Sequence, residues 1–226
     1  MSVLALIPAR GQSKGVKRKN LRYLRGEPLI FWTIRSAQQA AGIDQVVVST
    51  EDSEIAGLAR LLGVEEPLMR PPELAEDTTP GVAPVLHAAA ELPEFSWILV
   101  LQPTSPLRSV ADIDGILEFQ RSTAAKSVVS VSPVLESPQL FFSLGIDKTL
   151  TPLLPEASSM GRRQDFPQFH KLNGAMYLVE RDWLLQNRAL VSSSTLGYEM
   201  PPERSIDIDS HDDFERAELL MGAMND

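Results

Sequence analysis

VLALIPARG, residues 3–11, is an unbroken apolar run from Val3 to Ile7 closed by Pro8 and Gly11. Side chains alternate across a strand, so a run apolar at every position is covered on both faces, as a parallel strand between two helical layers is. Further along, apolar runs of strand length recur at Gln45–Ser49, Trp97–Leu101, Ser127–Val131 and Ala175–Val179. Stretches of helical period separate them. Leu29–Ala41 follows Pro28, a residue suited to a first helical turn, and Asp52–Leu62 is stopped by Gly63. Val85–Leu92 is a third helix, Val110–Gln120 is capped by Ser109 with Asp112 three residues on, and Asp182 to about Asn187 is a short fifth.

Strands alternating with helices imply right-handed crossovers, hence an α/β fold with a doubly wound, mostly parallel sheet. A short strand is expected at Ser205–Ile208. A terminal helix follows, capped by Ser210 with Asp213, its apolar face formed by residues 214, 217, 220, 221 and 224. Between Pro133 and Arg163 four prolines break the rhythm, which marks an insertion or arm in a single domain spanning 1–226.

The 226 residues suffice for one large domain, with 43% hydrophobic residues to bury. Lys and Arg total 21 against 30 Asp and Glu, a net charge of −9 that argues against a nucleic-acid binder. The absence of cysteine excludes thiolate metal sites and cysteine nucleophiles. No apolar run reaches the roughly 18 residues of a membrane span, and the amino end lacks a signal-peptide pattern, so no membrane association and a cytoplasmic location are expected.

Charge placement is the most informative local feature. Arg10 to Arg25 holds seven basic residues and no acidic one, so this stretch contributes +7 and the other 210 residues carry −16. A cationic loop directly after the first strand lies at the carboxyl edge of the sheet, where such folds bind ligands. A phosphate-bearing substrate suits it: Gly11 and Gly15 let the backbone approach an anion, and Lys14 and Lys19 can neutralise a leaving pyrophosphate. The alternative is a solvated basic loop. In Ser205-Ile206-Asp207-Ile208-Asp209, strand alternation puts Asp207 and Asp209 on one face with Ile208 opposite. Two carboxylates so close repel unless a hard cation such as Mg²⁺ sits between them; otherwise they are a merely acidic strand edge. Gln102-Pro103-Thr104-Ser105-Pro106-Leu107-Arg108 leaves the third apolar strand toward the same edge. Gln102, Thr104 and Ser105 can read sugar hydroxyls, or satisfy a proline-fixed turn. Arg70 is a base or phosphate contact, or a surface arginine before two prolines. His87, His170 and His211 share no ligand spacing, and Trp32, Trp97 and Trp183 are expected in the core.

IPARGQSKGVKRKN, VVVSTED, RPPELAEDT, VLQPTSPLR, NGAMY and ERSIDIDSHDDFERAE run in order from residue 3 to about 220 and resemble the acylneuraminate cytidylyltransferase family. The resemblance implies a nucleotide-diphospho-sugar transferase type of fold, a homodimer made through a small dimerisation arm at 133–171, and Mg²⁺ dependence. It implies transfer of CMP from CTP to a nine-carbon 2-keto-3-deoxy sugar acid, N-acetylneuraminate or a relative, with release of pyrophosphate. It places Arg10, Gly11, Ser13, Lys14, Lys19 and Asn20 around the triphosphate, and Arg70, Asp77 and Thr79 near the cytidine. Gln102, Thr104, Ser105, Arg163, Lys171 and Asn173 fall on the sugar side, Asp207 and Asp209 hold the metal, and Tyr177 matches a tyrosine contributed across the dimer. The pattern departs at Gln12, at Pro80-Gly81 and at Lys171, where relatives carry a glycine, a serine pair and an arginine. Rival readings are a CMP-Kdo-type cytidylyltransferase, a DxD glycosyltransferase and a non-catalytic nucleotide sensor.

Overall fold

The protein is described from a computed structural model covering residues 1–134, 136–154 and 167–223. The chain runs β1 (Val3–Pro8), β2 (Tyr23–Leu24), β3 (Glu27–Pro28), α1 (Leu29–Gln39), β4 (Gln45–Thr50), α2 (Ser53–Leu61), β5 (Leu68–Met69), α3 (Ala83–Glu91) and β6 (Trp97–Leu101). It continues through α4 (Val110–Thr123), β7 (Ser127–Pro133), β8 (Phe142–Leu144), β9 (Leu150–Pro152), β10 (His170–Glu180), α5 (Arg181–Asn187), β11 (Leu196–Glu199) and α6 (His211–Ala223). The main sheet has seven strands in the order β11-β7-β10-β6-β1-β4-β5. Only β10 is antiparallel to its neighbours, so the mostly parallel doubly wound reading holds.

Helices cover both faces, as the unbroken apolar strands require. Ile7, Val48 and Leu99 face α1, α2 and α4 through Ile30, Ile34, Ile55, Ile113 and Leu117. Leu6, Val47 and Val100 face α3 and α5 through Val85, Ala88 and Leu184. A third cluster seats α6 on β2 and on the late acidic segment, with Leu24, Ile206, Ile208, Ala217 and Met221 in contact. The three tryptophans flank these clusters, half-buried rather than central; Trp32 Nε1 donates to the Leu24 carbonyl at 3.1 Å.

Local capping follows the sequence. Ser109 and Asp112 form a reciprocal capping box on α4, and Ser210 with Asp213 does the same for α6. Asp52 is the cap of α2, not its first residue, because its carboxylate accepts from the Glu54 and Ile55 N–H groups.

Two expected strands are corrected. The strand expected at Ala175 begins at His170, with a register shift between Leu172 and Tyr177. Asn173 and Gly174 form that irregularity: the Asn173 carboxamide replaces ladder bonds, and Gly174 takes φ +76, open to glycine. Ser205–Ile208 is not a strand. Pro201 and Pro202 lead into a 3-10 turn, and the segment lies on the Gln102–Arg108 turn through one backbone bond, Ile208 N to Thr104 O at 2.8 Å. Side-chain alternation survives, with Ile206 and Ile208 buried and Asp207 and Asp209 exposed. The insertion after Pro133 contains a β8–β9 hairpin outside the main sheet, on which Phe142, Leu144, Ile146 and Leu150 are exposed. Arg163, in the same insertion, and residue 224 of the expected helix face lie outside the described residues. No helix among the described residues is long and apolar enough to cross a membrane.

The acidic segment is anchored by Arg204, whose Nε and Nη2 donate to the two Asp112 oxygens at 2.8 and 2.9 Å. Burial alone would raise the Asp112 carboxyl, but bonds from Arg204 and Ser109 outweigh it and hold the carboxyl below the usual range. A depressed carboxyl contributes stability above the ordinary aspartate pKa and loses it as pH falls through the folded value. Arg204→Met is therefore expected to cost about 2 kcal/mol at pH 7 in a denaturant titration. The gap should persist down to about pH 4 and close below it. A gap that stays open in acid would assign the cost to the packing of the arginine stem.

Candidate active site

A cavity of about 470 Å³ opens at the carboxyl ends of β1 and β6, beside the point where strand order reverses around β1. From the amino-terminal loop it is lined by Arg10, Ser13, Lys14, Gly15, Lys19 and Asn20. Arg70, Asp77 and Thr79 form the side nearest β4 and β5, Gln102 and Thr104 rise from the end of β6, and Gly174 and Tyr177 come from β10. Asp207 and Asp209 complete the wall.

The basic loop and the acidic couplet, 190 residues apart at their closest pair, meet directly. Lys19 Nζ donates to the Ile208 carbonyl at 2.6 Å and to Asp209 Oδ1 at 2.9 Å. A methyl group at Gly15 would collide with the Asp209 carbonyl oxygen, so the glycine permits backbone-to-backbone contact between the segments. Asn20, 5% exposed, donates from Nδ2 to the Arg10 carbonyl and closes the loop on itself.

Not every basic residue faces the cavity. Arg18 takes a left-handed backbone and pairs with Asp52 at 2.8 Å and with Glu54, which binds the loop to α2. Gly11 does not line the cavity: its N–H donates to Glu51 Oε1 at 2.7 Å, and a methyl group there would collide with the Asp52 carboxylate. Its lack of a side chain serves close packing against α2, a correction to the expected phosphate contact. Arg10 and Lys14 both pair with Asp77, at 2.6 and 3.3 Å. The Arg10 hydrogen bond, helped by Lys14, holds the Asp77 carboxyl below the usual range.

Asp207 is pushed up, first by loss of surrounding water and then by the charge of Asp209; a hydrogen bond from Thr104 and the Lys19 charge oppose the rise. By surface area Asp207 counts as exposed, but its carboxyl lies against the cavity wall beside Gly174, where protein displaces much of its hydration. Among the described residues no group of three or more acidic, His or Cys side chains gathers around one point. The donors present are two carboxylates on one wall, which fit Mg²⁺ held by one or two carboxylates with water and phosphate oxygens completing the shell, and do not fit an all-protein cage.

On the expected sugar side the structure divides the candidates. Gln102, Thr104 and Tyr177 line the cavity, and Tyr177 does so from its own chain. Ser105 is fully buried behind them. Asn173 is also buried, its carboxamide engaged by Ser130, Ser205 and the Ala175 N–H, and Lys171 is exposed on the part of β10 that pairs with Ser132. None of the three lines the cavity: Ser105 is buried within the Gln102–Arg108 turn, and the β10 extension and irregularity place Lys171 and Asn173 elsewhere.

Two supporting residues went unread in the sequence. Arg108 is wholly buried, and burial pushes its guanidinium down to about 9. It donates to the carbonyls of Ala175 at 2.8 Å and Gln102 at 3.3 Å and to Thr33 Oγ1 at 2.9 Å, fastening the Gln102–Arg108 turn to the β10 irregularity. Glu51 accepts from both Gly11 and Arg70. Its signal was available: an acidic residue leaving a buried strand at the carboxyl edge of a parallel sheet.

The sequence matches the family described as Cytidylyltransferase over residues 4–187. It is 34% identical to a CMP-N,N'-diacetyllegionaminic acid synthase of Legionella pneumophila, over 98% of this chain and 97% of that one. An N-acylneuraminate cytidylyltransferase of Streptococcus agalactiae is 32% identical over 95% of this chain, which spans about half (52%) of that relative's length. In fold the chain is similar to CMP:2-keto-3-deoxy-manno-octonic acid synthetase complexed with CTP, with a TM-score of 0.75 at 19% identity over 99% of this chain and all of that one. Agreement along nearly the full length of the legionaminic acid relative, together with the family match, establishes that this chain belongs to the cytidylyltransferase family, as its acylneuraminate cytidylyltransferase motifs imply.

Proposed function

We propose that the protein transfers CMP from CTP to a nine-carbon 2-keto-3-deoxy sugar acid and releases pyrophosphate. The observation that carries this reading is the direct meeting of the basic loop and the Asp207–Asp209 couplet at one cavity, through Lys19. Names of the relatives, which include both N-acylneuraminate and diacetyllegionaminate enzymes, supply the acceptor class.

In this reading the anomeric hydroxyl oxygen of the acid bonds to the α-phosphorus of CTP. The bond from that phosphorus to the bridging oxygen breaks, and the hydroxyl proton is released to solvent. Arg10, Lys14 and Lys19 take the charge that develops on the leaving pyrophosphate. Arg10 and Lys14 already neutralise a carboxylate, Asp77, so a triphosphate competes with Asp77 for them. Asp207 and Asp209 would hold Mg²⁺, which when bound offsets triphosphate charge and lowers the pKa of a hydroxyl it coordinates. Asp207, raised by its surroundings, gains most from such a cation. Gln102 and Thr104 read acceptor hydroxyls, Ser105 and Asn173 support that side from behind the wall, and Arg163 and Lys171 are assigned to the acid by the family resemblance. No protein nucleophile is required, and positioning carries the rate. A cytoplasmic location agrees with the use of CTP.

Residues 133–171 serve as the dimerisation arm. Exposed Phe142, Leu144, Ile146 and Leu150 on one short hairpin support this, since apolar side chains gathered at the surface mark an interaction site. A second copy of the chain is the occupant the family resemblance implies.

Incubation with CTP and a panel of nine-carbon acids and Kdo should release pyrophosphate and form the CMP-sugar, fastest with a nine-carbon acid. Chelation should stop turnover and added Mg²⁺ restore it; no pyrophosphate from CTP and acid, with nucleoside diphosphate released once a nucleotide sugar and an acceptor are supplied, would indicate a glycosyltransferase. Asp209→Ala should lower kcat/KM by at least about 100-fold with an unchanged far-ultraviolet spectrum, and retained activity would remove its metal role. Gly15→Ala should displace the loop from the couplet and cost on the order of 100-fold in rate. Light scattering should give about twice the 24.9 kDa chain mass, falling to one chain when Phe142 and Leu144 are both replaced by Asp.

A further inference from the structure

Glu51 leaves the carboxyl end of β4 and does not line the cavity, yet each of its oxygens holds a different part of the wall. Oε1 accepts the Gly11 N–H at 2.7 Å, next to Arg10. Oε2 accepts from Arg70 Nε at 3.2 Å and Nη2 at 3.0 Å. The Arg70 side chain is only 3% exposed and that of Glu51 16%, so both charges are largely withdrawn from water and depend on each other. Desolvation weakens the Arg70 charge, with Arg10 adding to the effect, while Glu51 opposes both. Without Glu51 two cations would share one wall with no buried counter-ion, and the Gly11 N–H would lose its acceptor.

We propose that Glu51 is a positioning residue for the nucleotide: one carboxylate sets both the Arg70 guanidinium and the start of the basic loop, and it acts on CTP only through them. The chemistry requires a carboxylate in particular. Its two ends both accept, whereas a carboxamide has one accepting and one donating end. Glutamine can therefore satisfy Gly11 or Arg70 and must turn an N–H toward the other. Aspartate keeps two acceptors but is one methylene shorter, so it cannot span both partners from the same backbone position. The inference rests on the reading of this cavity as the CTP site, with Arg70 on its nucleotide side.

The test measures KM for CTP and for the sugar acid separately, together with kcat, in Glu51→Gln, Glu51→Asp, Arg70→Met and the double variant Glu51→Gln with Arg70→Met. Melting temperature and circular dichroism identify the folded variants. Glu51→Gln should raise KM for CTP about tenfold while KM for the acid and kcat change by less than about threefold, and Glu51→Asp should move the same way. The double variant should be no worse for CTP than Arg70→Met alone, because with the guanidinium gone the glutamine oxygen is free to accept the Gly11 N–H. A purely structural role would lower the melting temperature and leave both KM values alike. If Arg70→Met raises KM for CTP but both folded Glu51 variants leave it unchanged, or shift both KM values equally, the inference on Glu51 is overturned. If Arg70→Met itself leaves CTP untouched, the assignment of Arg70 to the nucleotide fails, and the inference, which requires both partners to act on CTP, is overturned with it.

Discussion

Closure of the amino-terminal loop onto the late acidic segment underlies every other feature of the cavity. Lys19 contributes one ammonium shared between the Ile208 carbonyl and Asp209, and Gly15 contributes the missing side chain that lets two backbones touch. With these contacts the cationic loop, which would otherwise repel itself, finds a counter-charge, and the two aspartates, which would otherwise repel each other, find a cation. Asp207 remains raised despite Lys19. Arg10, Lys14 and Arg70 line the same cavity, so cations and the acidic couplet border one space, as a metal-loaded polyphosphate requires.

The surrounding protein holds this arrangement from behind. Arg204 on Asp112 ties the acidic segment to the α4 cap, and Ile206 and Ile208 sink into the cluster under α6. Arg108 draws the β6 turn and the β10 irregularity together by donating to their carbonyls. Arg18 and Glu51 fasten the basic loop to the α2 end of the sheet. Most cavity residues therefore come from loops, but the loops are fixed by charged or hydroxyl-bearing side chains reaching into rigid elements, which is how loop residues keep a defined geometry.

The apolar hairpin is of a different character. Its aromatic and aliphatic side chains are short-range neighbours in sequence and meet water in the isolated chain, while the doubly wound body covers both faces of its sheet. Among the described residues the hairpin gathers several exposed apolar side chains on one short element, whereas Leu61 and Leu219 are exposed singly on helices.

Residue order alone determined the sandwiched strands, the helix caps at Ser109 and Ser210 and the basic loop at the sheet edge, because these depend on periodicity, capping chemistry and charge within a few neighbouring residues. It also brought Arg10, Lys14, Lys19, Arg70, Gln102, Asp207 and Asp209 into one list, and the cavity contains all of them. What it could not contain was which polar groups are already used. Gly11 spends its N–H on Glu51, Asn173 its carboxamide on Ser130 and Ser205, and the Asp207 segment pairs with a turn instead of a strand. Those partners lie from about thirty to a hundred residues away, and only the packed fold brings a donor within 3 Å of its acceptor, so their choice belongs to the tertiary structure.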